Sequence, residues 1–259
     1  AVWQPMGFIY LYIGLFVSNA AWREFLKTVL CFSPNQLNAL LVLASIMGLC
    51  GLVLYKLALT RWSWRWIFIM GILLNAIFSA FQLLLVTGYT FGIPPFLFAL
   101  GDDAMIDFIP GTQYVPTVVM MVSLVPNGIE GASYALFTTT WNVAGVLSGS
   151  LSTFFLRFWD VSKAALEDGD LSGLTKLTIL TTVIQAVPIL FVGMVPHSAS
   201  DLISLHSSRR TDDENERDGK CTRSILGGTI YVTVVVLSLC YAIFVGVMNV
   251  FHPGWMGES

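Results

Sequence analysis

Charged residues are scarce in this chain of 259 residues: only 11% are Asp, Glu, Lys or Arg, whereas 56% are hydrophobic. Soluble domains carry about 25% charged residues, so the composition excludes an ordinary water-soluble protein and indicates an integral membrane protein whose surroundings are the lipid bilayer. The net charge is only −3, and the chain lacks both a glycine-rich phosphate loop and a basic stripe. Nucleic acid is therefore excluded as a partner.

The spacing of cysteine and histidine indicates neither a metal site nor a disulfide framework. Cys50 and Cys240 lie inside apolar runs, Cys31 and Cys221 lie near the ends of such runs, and no CxxC or Cys/His pairing occurs. The three histidines lie at the ends of apolar runs or in a polar segment, without a neighbouring serine nucleophile. We therefore expect no enzymatic activity, no metal and no cofactor.

The chain starts at Ala1, without a methionine, and enters an apolar segment with no basic region before it. This start predicts a fragment or a processed chain.

Long apolar runs dominate what remains, and a transmembrane helix needs about 20 such residues. Six runs qualify before a polar gap and a seventh follows it, so the sequence predicts an all-α membrane protein. The predicted spans are roughly Pro5 to Leu30, Leu37 to Leu59, Trp64 to Val86, Pro94 to Leu124, Ile129 to Trp159, Leu174 to Val195, and Ile225 to Phe251.

The polar gap divides the chain into three predicted parts: a six-helix unit at residues 1–200, a charged linker at 201–224, and an additional span with a short tail at 225–259. Lys and Arg are concentrated after the second span and in the linker, on one side of the membrane if the spans alternate. Because cytoplasmic loops carry the excess of Lys and Arg, the N-terminus is predicted to be cytoplasmic and the C-terminus to lie on the opposite side.

Three carboxylates interrupt the fourth predicted span, at Asp102, Asp103 and Asp107. An ionised carboxylate at the centre of a bilayer costs about 2.5 kcal/mol or more, so we expect these side chains to face the bundle interior or a water-filled cavity. Asp103 and Asp107 are four residues apart and share a helix face. Pro110 and Gly111 follow, and they predict that the helix kinks or breaks there, as transporter helices do beside a binding site. The alternatives to a binding site are that the carboxylates pair with a basic residue elsewhere in the bundle or that they lie in the outer interface of the membrane.

Three further polar residues are candidates for a substrate or proton site. Asn142 lies deep in the fifth span and needs hydrogen-bond partners if it is buried. Glu130 lies in the first turn of that span, where it serves either the helix dipole or gating, and Arg23 near the outer end of the first span is interfacial or faces substrate. Small residues on the second and fifth spans predict close helix packing; they are Gly48 and Gly51, and Ala144, Gly145, Ser148, Gly149 and Ser152.

The segments "FALGDDAMID", "VPNGIEGASYAL" and "NVAGVLSG" resemble the folate-biopterin transporter family, a branch of the major facilitator superfamily. Val125 stands where many members have cysteine. The resemblance covers Pro5 to Pro196 and corresponds to the second half of such a transporter. The residues that match the family pattern are Pro126, Gly128, Ile129, Glu130, Tyr134, Ala135, Leu136, Asn142 and Gly145.

This resemblance implies the six-helix half of a major-facilitator-type transporter plus one additional transmembrane helix. It implies transport of folate or biopterin by alternating access with proton coupling, together with a six-helix N-terminal half that this chain lacks. Asp103 or Asp107 would bind the pterin amino group or carry the proton, and the two roles stay open. The alternatives are a transporter-derived membrane scaffold without transport and a seven-helix receptor, for which the Asp-Arg-Tyr and Asn-Pro-x-x-Tyr motifs are missing.

Overall fold

The computed structural model describes residues 3–123, 130–198, 201 and 222–251, and these residues contain helices and no strand. Within this part of the chain, four helical stretches are long and apolar enough to cross a membrane: Pro34–Leu59, Trp64–Val86, Ser172–Met194 and Gly228–Met248. Many large apolar side chains on these stretches are exposed, as expected where lipid is the solvent. Residues 124–129, between the fourth and fifth predicted spans, and most of the predicted charged linker lie outside the described residues.

Nine α-helices are described, and short irregular helices extend three of them. A π-helical turn, Tyr55–Leu59, follows the third helix, and 3-10 segments, Leu156–Phe158 and Val187–Met194, follow the sixth and the eighth. The α-helices are α1 Trp3–Gly14, α2 Trp22–Thr28, α3 Pro34–Leu54, α4 Trp64–Val86, α5 Pro95–Ser123, α6 Glu130–Phe155, α7 Lys163–Glu167, α8 Ser172–Ala186 and α9 Thr222–Phe251.

The first predicted span is not one helix, which corrects the prediction for Pro5 to Leu30. Helix α1 ends at Gly14 and α2 begins at Trp22, with non-helical backbone between them. Asn19 helps to start α2, because its side-chain oxygen accepts a hydrogen bond from the Ala21 N–H at 3.1 Å. The interruption, at residues 15–21, therefore ends nine residues before the end of the predicted span.

Helix α5, by contrast, continues through Pro110 and Pro116, so a break in the fourth predicted span is wrong. Pro110 has no N–H to donate to the carbonyl of Ile106 one turn earlier. Membrane helices tolerate such a loss where neighbouring groups or water satisfy the freed carbonyl. Ile106 lines the polar cavity described below.

Glycines bring α3 and α5 into backbone contact, which confirms the close approach predicted for Gly48 and Gly51. A Cβ added at Gly51 would lie 2.3 Å from the Phe108 carbonyl oxygen, and one added at Gly111 would lie 2.2 Å from the Gly48 carbonyl oxygen. Real Cβ atoms do not approach so closely, and neither obstacle is a flexible side chain. Only glycine permits this helix pair to pack as it does.

The interior consists of two apolar clusters with polar side chains between them. Helix α1 contributes Met6, Phe8 and Ile9 to the first cluster, and α2 contributes Phe25 and Leu26 to the second. The interrupted segment of the chain joins the two clusters and lies beside the polar side chains described next.

Candidate functional site

Polar side chains face one another across α4 and α8 at the level of the interrupted segment. Asn75 and Ser79 are one turn apart on α4 and share a face. The Asn75 amide donates to Gln185 at 2.8 Å, and the Ser79 and Thr182 hydroxyls are 2.6 Å apart. Thr178, one turn before Thr182, accepts from the Asn19 amide at 2.9 Å. These bonds satisfy polar groups whose burial would otherwise be costly.

The interrupted segment exposes backbone carbonyls that side chains from distant helices satisfy. Gln185 donates to the Val17 carbonyl at 2.6 Å. Ser148 and Ser152 on α6 donate to the carbonyls of Phe16 and Ser18, each at 2.6 Å. Non-helical backbone at membrane depth persists only where protein or water supplies such partners. These three donors therefore stabilise the non-helical conformation of the interrupted segment.

A polar cavity of about 70 Å³ lies against this break. The interrupted segment contributes Phe16, Ser18 and Asn19 to its wall, and Trp22 adds the first residue of α2. Helices α4, α5 and the end of α8 complete the wall with Asn75, Ser79, Gln82, Ile106 and Gln185.

Two of the three predicted carboxylates lie at this level of the bundle. Asp102 is 3% exposed, and its Oδ2 accepts from the Gln82 amide at 2.8 Å. Its Oδ1 is buried and has no hydrogen-bond partner within the described chain. Asp103 is half-buried, and its Oδ1 accepts from the Trp22 indole N–H at 3.2 Å.

The other predicted site residues are more open. Asp107 is exposed but is within electrostatic range of Asp103, as is Arg23, which is also exposed. Asn142 is exposed on α6, so its side chain is not the buried amide considered above. Glu130 begins α6, but its side chain lies outside the described residues. The structure therefore places Asp103 against the first residue of α2 and Asp102 against Gln82 on α4, and it leaves Asp107 and Asn142 on the surface of this chain.

A second and larger cavity, of about 260 Å³, lies between α1, α5 and α6. Its wall includes the aromatic side chains of Tyr12, Phe16, Tyr114 and Trp141, with Gln113 as a buried amide. Phe16 lines both cavities, so the two cavities adjoin at the interrupted segment.

The predicted small-residue face of α6 divides into two kinds of position. Ala144 is fully buried, and the serines at 148 and 152 bind the interrupted segment. Positions Gly145 and Gly149 are different, because a Cβ added at either would meet nothing within 4 Å. The prediction of close packing is therefore wrong for these two glycines within the described chain.

Sequence reasoning missed the uncharged part of the site. Asn75, Ser79 and Gln82 recur at helical spacing inside the apolar third span, and Gln185 lies in the sixth. Buried amides require hydrogen-bond partners, so this spacing could have predicted a polar contact between the third and sixth spans. The prediction of a site rested on the three carboxylates instead. Among the described residues, no group of three His, Cys, Asp or Glu side chains is placed to hold a metal ion.

Chemically, the two cavities offer complementary surfaces. The polar cavity presents amide and hydroxyl groups suited to a polar solute, and the larger cavity presents flat aromatic faces. Concave, mainly apolar pockets with a few polar groups are typical of small-molecule sites. The arrangement suits binding of a planar, hydrogen-bonding solute.

Comparison with known proteins gives one family match: the BT1 family matches residues 1–214. Three similar curated proteins are named as transporters. The "Folate-biopterin transporter" of Synechocystis sp. is 26% identical over 74% of this chain and 38% of its own length. "Probable folate-biopterin transporter 5" of Arabidopsis thaliana is 26% identical over 83% of this chain and 44% of its own length. "Folate transporter 1" of Plasmodium falciparum is 24% identical over 72% of this chain and 36% of its own length.

These matches therefore span less than half the length of each relative. Helix α9 lies beyond the residues that match the family. No solved structure matches the chain significantly.

Proposed function

Since the chain belongs to the BT1 family, we propose that it is part of a membrane carrier that moves folate- or pterin-type solutes by alternating access. The observation that carries this proposal is the likeness to three proteins whose names describe folate or folate-biopterin transport. The polar cavity beside the interrupted first helix supports the proposal, because carriers form their sites at broken helices near the bilayer midplane.

In this proposal the described helices belong to a six-helix half of a major-facilitator-type transporter, and a second half covers the open face of α6. That face supports the idea: Thr138, Thr139 and Asn142 are exposed beside Gly145 and Gly149. Polar and small residues are poorly matched to lipid tails, whereas they suit a helix interface or a water-filled path. Asp107 on α5 is exposed as well.

Asp103 and Asp107 are proposed to bind the solute. A pterin carries an exocyclic amino group, and a carboxylate accepts a charge-assisted hydrogen bond from such a donor. Trp22 orients Asp103 by its indole hydrogen bond at 3.2 Å. Arg23 is proposed to join this site, because it lies within electrostatic range of Asp103, whereas Glu130 and Asn142 on α6 stay candidates for gating and for the path of the solute.

Asp102 is proposed to carry the coupled proton. Its Oδ1 lacks a partner among the described residues, and its Oδ2 binds Gln82. A buried carboxylate with one unsatisfied oxygen is costly while it is ionised, whereas protonation removes the charge. Proton uptake at Asp102 and solute binding at its neighbour Asp103 would then be coupled through repulsion between adjacent carboxylates.

Uptake of radiolabelled folic acid and biopterin into proteoliposomes tests this function. The vesicles contain the full protein, purified from the cells that produce it naturally. Replacing Asp103 or Asp107 by Asn should lower uptake by roughly ten- to a hundredfold, because a hydrogen bond to a charged group contributes about 1.5–3 kcal/mol. Asp168→Asn is the matched control, since Asp168 lies in an exposed loop. A wild-type protein that neither binds nor transports either solute would instead support the membrane scaffold.

A pH gradient across the same vesicles tests the coupling. We expect wild-type uptake to follow an inward proton gradient and to fall when a protonophore collapses it. Asp102→Asn should transport at a rate that the gradient does not change. A gradient dependence that survives in Asp102→Asn would contradict the assignment of the proton to Asp102.

A further inference from the structure

We infer that the cavity between α1, α5 and α6 holds the flat heteroaromatic ring of the solute, with Gln113 reading the edge of that ring. This inference rests on the proposed function and extends it, because none of the residues involved is a carboxylate. Its basis is the geometry of three side chains: Tyr12, Gln113 and Trp141.

The cavity has the size and walls that a bicyclic ring needs. Its volume of about 260 Å³ is close to the lower limit of roughly 300 Å³ for small-molecule pockets. Tyr114 and Trp141 meet edge to face with centroids 6.4 Å apart, so a wall of the cavity consists of aromatic side chains. Heteroaromatic rings stack well on such side chains.

The Tyr12 wall is fixed in advance of binding. Its ring stacks on Phe8 at 5.8 Å between centroids and meets the edge of Phe68 at 5.4 Å. Phe8 and Phe68 are themselves fully buried. A rigid wall favours binding, because little conformational entropy is lost when the ring enters.

Gln113 is held so that its amide has one defined orientation. The side chain is 2% exposed, and its oxygen accepts a hydrogen bond from the Tyr12 hydroxyl. Its nitrogen donates to the Ile67 carbonyl at 3.5 Å, and a carbonyl can only accept. A Cβ on Gly71 would lie 1.8 Å from this nitrogen, so Gly71 provides the space that the amide occupies.

The held amide retains one N–H and one oxygen lone pair for a ligand. Such a neighbouring donor and acceptor matches the ring carbonyl and adjacent ring N–H of a pterin, which present an acceptor and a donor side by side. In the analogue that carries an amino group in place of this carbonyl, the pattern is reversed. The Ile67 carbonyl favours this orientation of the amide, because it can accept but not donate, so Gln113 should favour the carbonyl form.

Binding of tritiated biopterin to the purified full protein in detergent tests the stacking part. We expect Trp141→Ala to weaken binding by roughly ten- to a hundredfold, as the loss of aromatic stacking does for nucleic-acid bases. Trp66→Ala is the control, because Trp66 is 60% exposed and lies outside this cavity. Equal affinities of Trp141→Ala and wild type would overturn the inference.

A blocking variant avoids any dependence on folding defects. Gly145 lines the cavity, and a side chain there meets nothing within 4 Å at its Cβ, so Gly145→Leu should fill the cavity and abolish biopterin binding. Gly246→Leu, at an equally open position on α9 that does not line the cavity, should bind as wild type. Equal losses in both variants would overturn the assignment.

The edge-reading role has a signature that a purely structural role would not produce. Gln113→Leu should reduce the preference for biopterin over its amino-substituted analogue at least fivefold, whereas a structural defect would weaken both ligands alike. An unchanged preference would overturn the role of Gln113. If only the Asp103 and Asp107 variants lose binding, the cavity assignment fails while the proposed function stands; if wild type binds no pterin, both fail.

Discussion

The glycine contact between α3 and α5 gives the most quantitative prediction, for Gly111→Ala. The added Cβ would lie 2.2 Å from the Gly48 carbonyl oxygen, and ordinary contacts begin at 3.4 Å, so the two helices must separate by about 1.2 Å. A gap of about 1 Å already forfeits as much as half of the dispersion energy across a contact. Because the obstacle is backbone, no rotamer change relieves it, and we expect a loss of roughly 1–3 kcal/mol in the free energy of unfolding.

Gly145→Ala is the control for this variant. Both substitutions lie in helices, where Ala is favoured over Gly by up to about 1 kcal/mol. At Gly145 the new methyl group meets nothing within 4 Å, so this variant should be as stable as wild type or slightly more stable. The difference between the two variants isolates the steric term, measured by unfolding in mixed detergent micelles followed by circular dichroism.

Combining Gly111→Ala with Gly51→Ala tests the mechanism further. Each change pushes apart the same two helices, because a Cβ at Gly51 would strike the Phe108 carbonyl oxygen. The first separation makes room for the second methyl group, so the double variant should lose less stability than the two single variants together. Gly111→Ala with the stability of Gly145→Ala, or strict additivity with Gly51→Ala, would refute the reasoning.

Three further predictions concern the break, the last helix and an exposed loop. Gln185→Leu should lower the unfolding free energy by about 1–3 kcal/mol, because the Val17 carbonyl loses its donor; wild-type stability would contradict this. Tyr231→Phe should lower the protection of α9 against deuterium exchange, because it removes the hydrogen bond to Thr140; unchanged protection would exclude that role. Hydrogen bonds from Ser172 lower the pKa of Asp170 below its usual value of 3.8. The wild-type protein should therefore be thermally more stable than Asp170→Ala above about pH 4, and this difference should vanish as pH falls through the lowered pKa. A difference that persists in stronger acid would contradict this prediction.

The length of the apolar runs predicted those helices whose cause is local. The third predicted span, Trp64 to Val86, coincides with α4, because a long apolar run leaves a chain in lipid no other way to satisfy its backbone. The membrane class and the family were predicted as well, and the family match over residues 1–214 confirms the latter. Topology, coupling and the role of α9 stay predictions.

The interrupted first span was not predicted, because its cause is distant in the sequence. Gln185 supports the break across 168 residues and Ser148 across 132, and no local pattern reveals such partners. One local signal existed at Asn19, since Asn favours turns in which its side chain bonds the backbone two residues on, and Asn19 does accept from the Ala21 N–H. The break predicted at Pro110 was wrong because a local signal was given too much weight. A proline disturbs only one turn, and a membrane helix continues where the freed carbonyl is satisfied.

Glycine shows most clearly why composition alone cannot locate the site. The sequence predicts close packing both for the glycines of α3 and for those of α6, since small residues permit helices to approach. In the structure Gly51 contacts backbone, whereas Gly145 and Gly149 are open. A glycine that packs against backbone stabilises the fold, but one that stays open on a helix rich in exposed polar residues leaves space for something outside this chain. The same residue type therefore predicts opposite outcomes of substitution, lost stability at Gly51 and Gly111 and lost binding at Gly145, and measuring both properties for each variant separates the scaffold from the site.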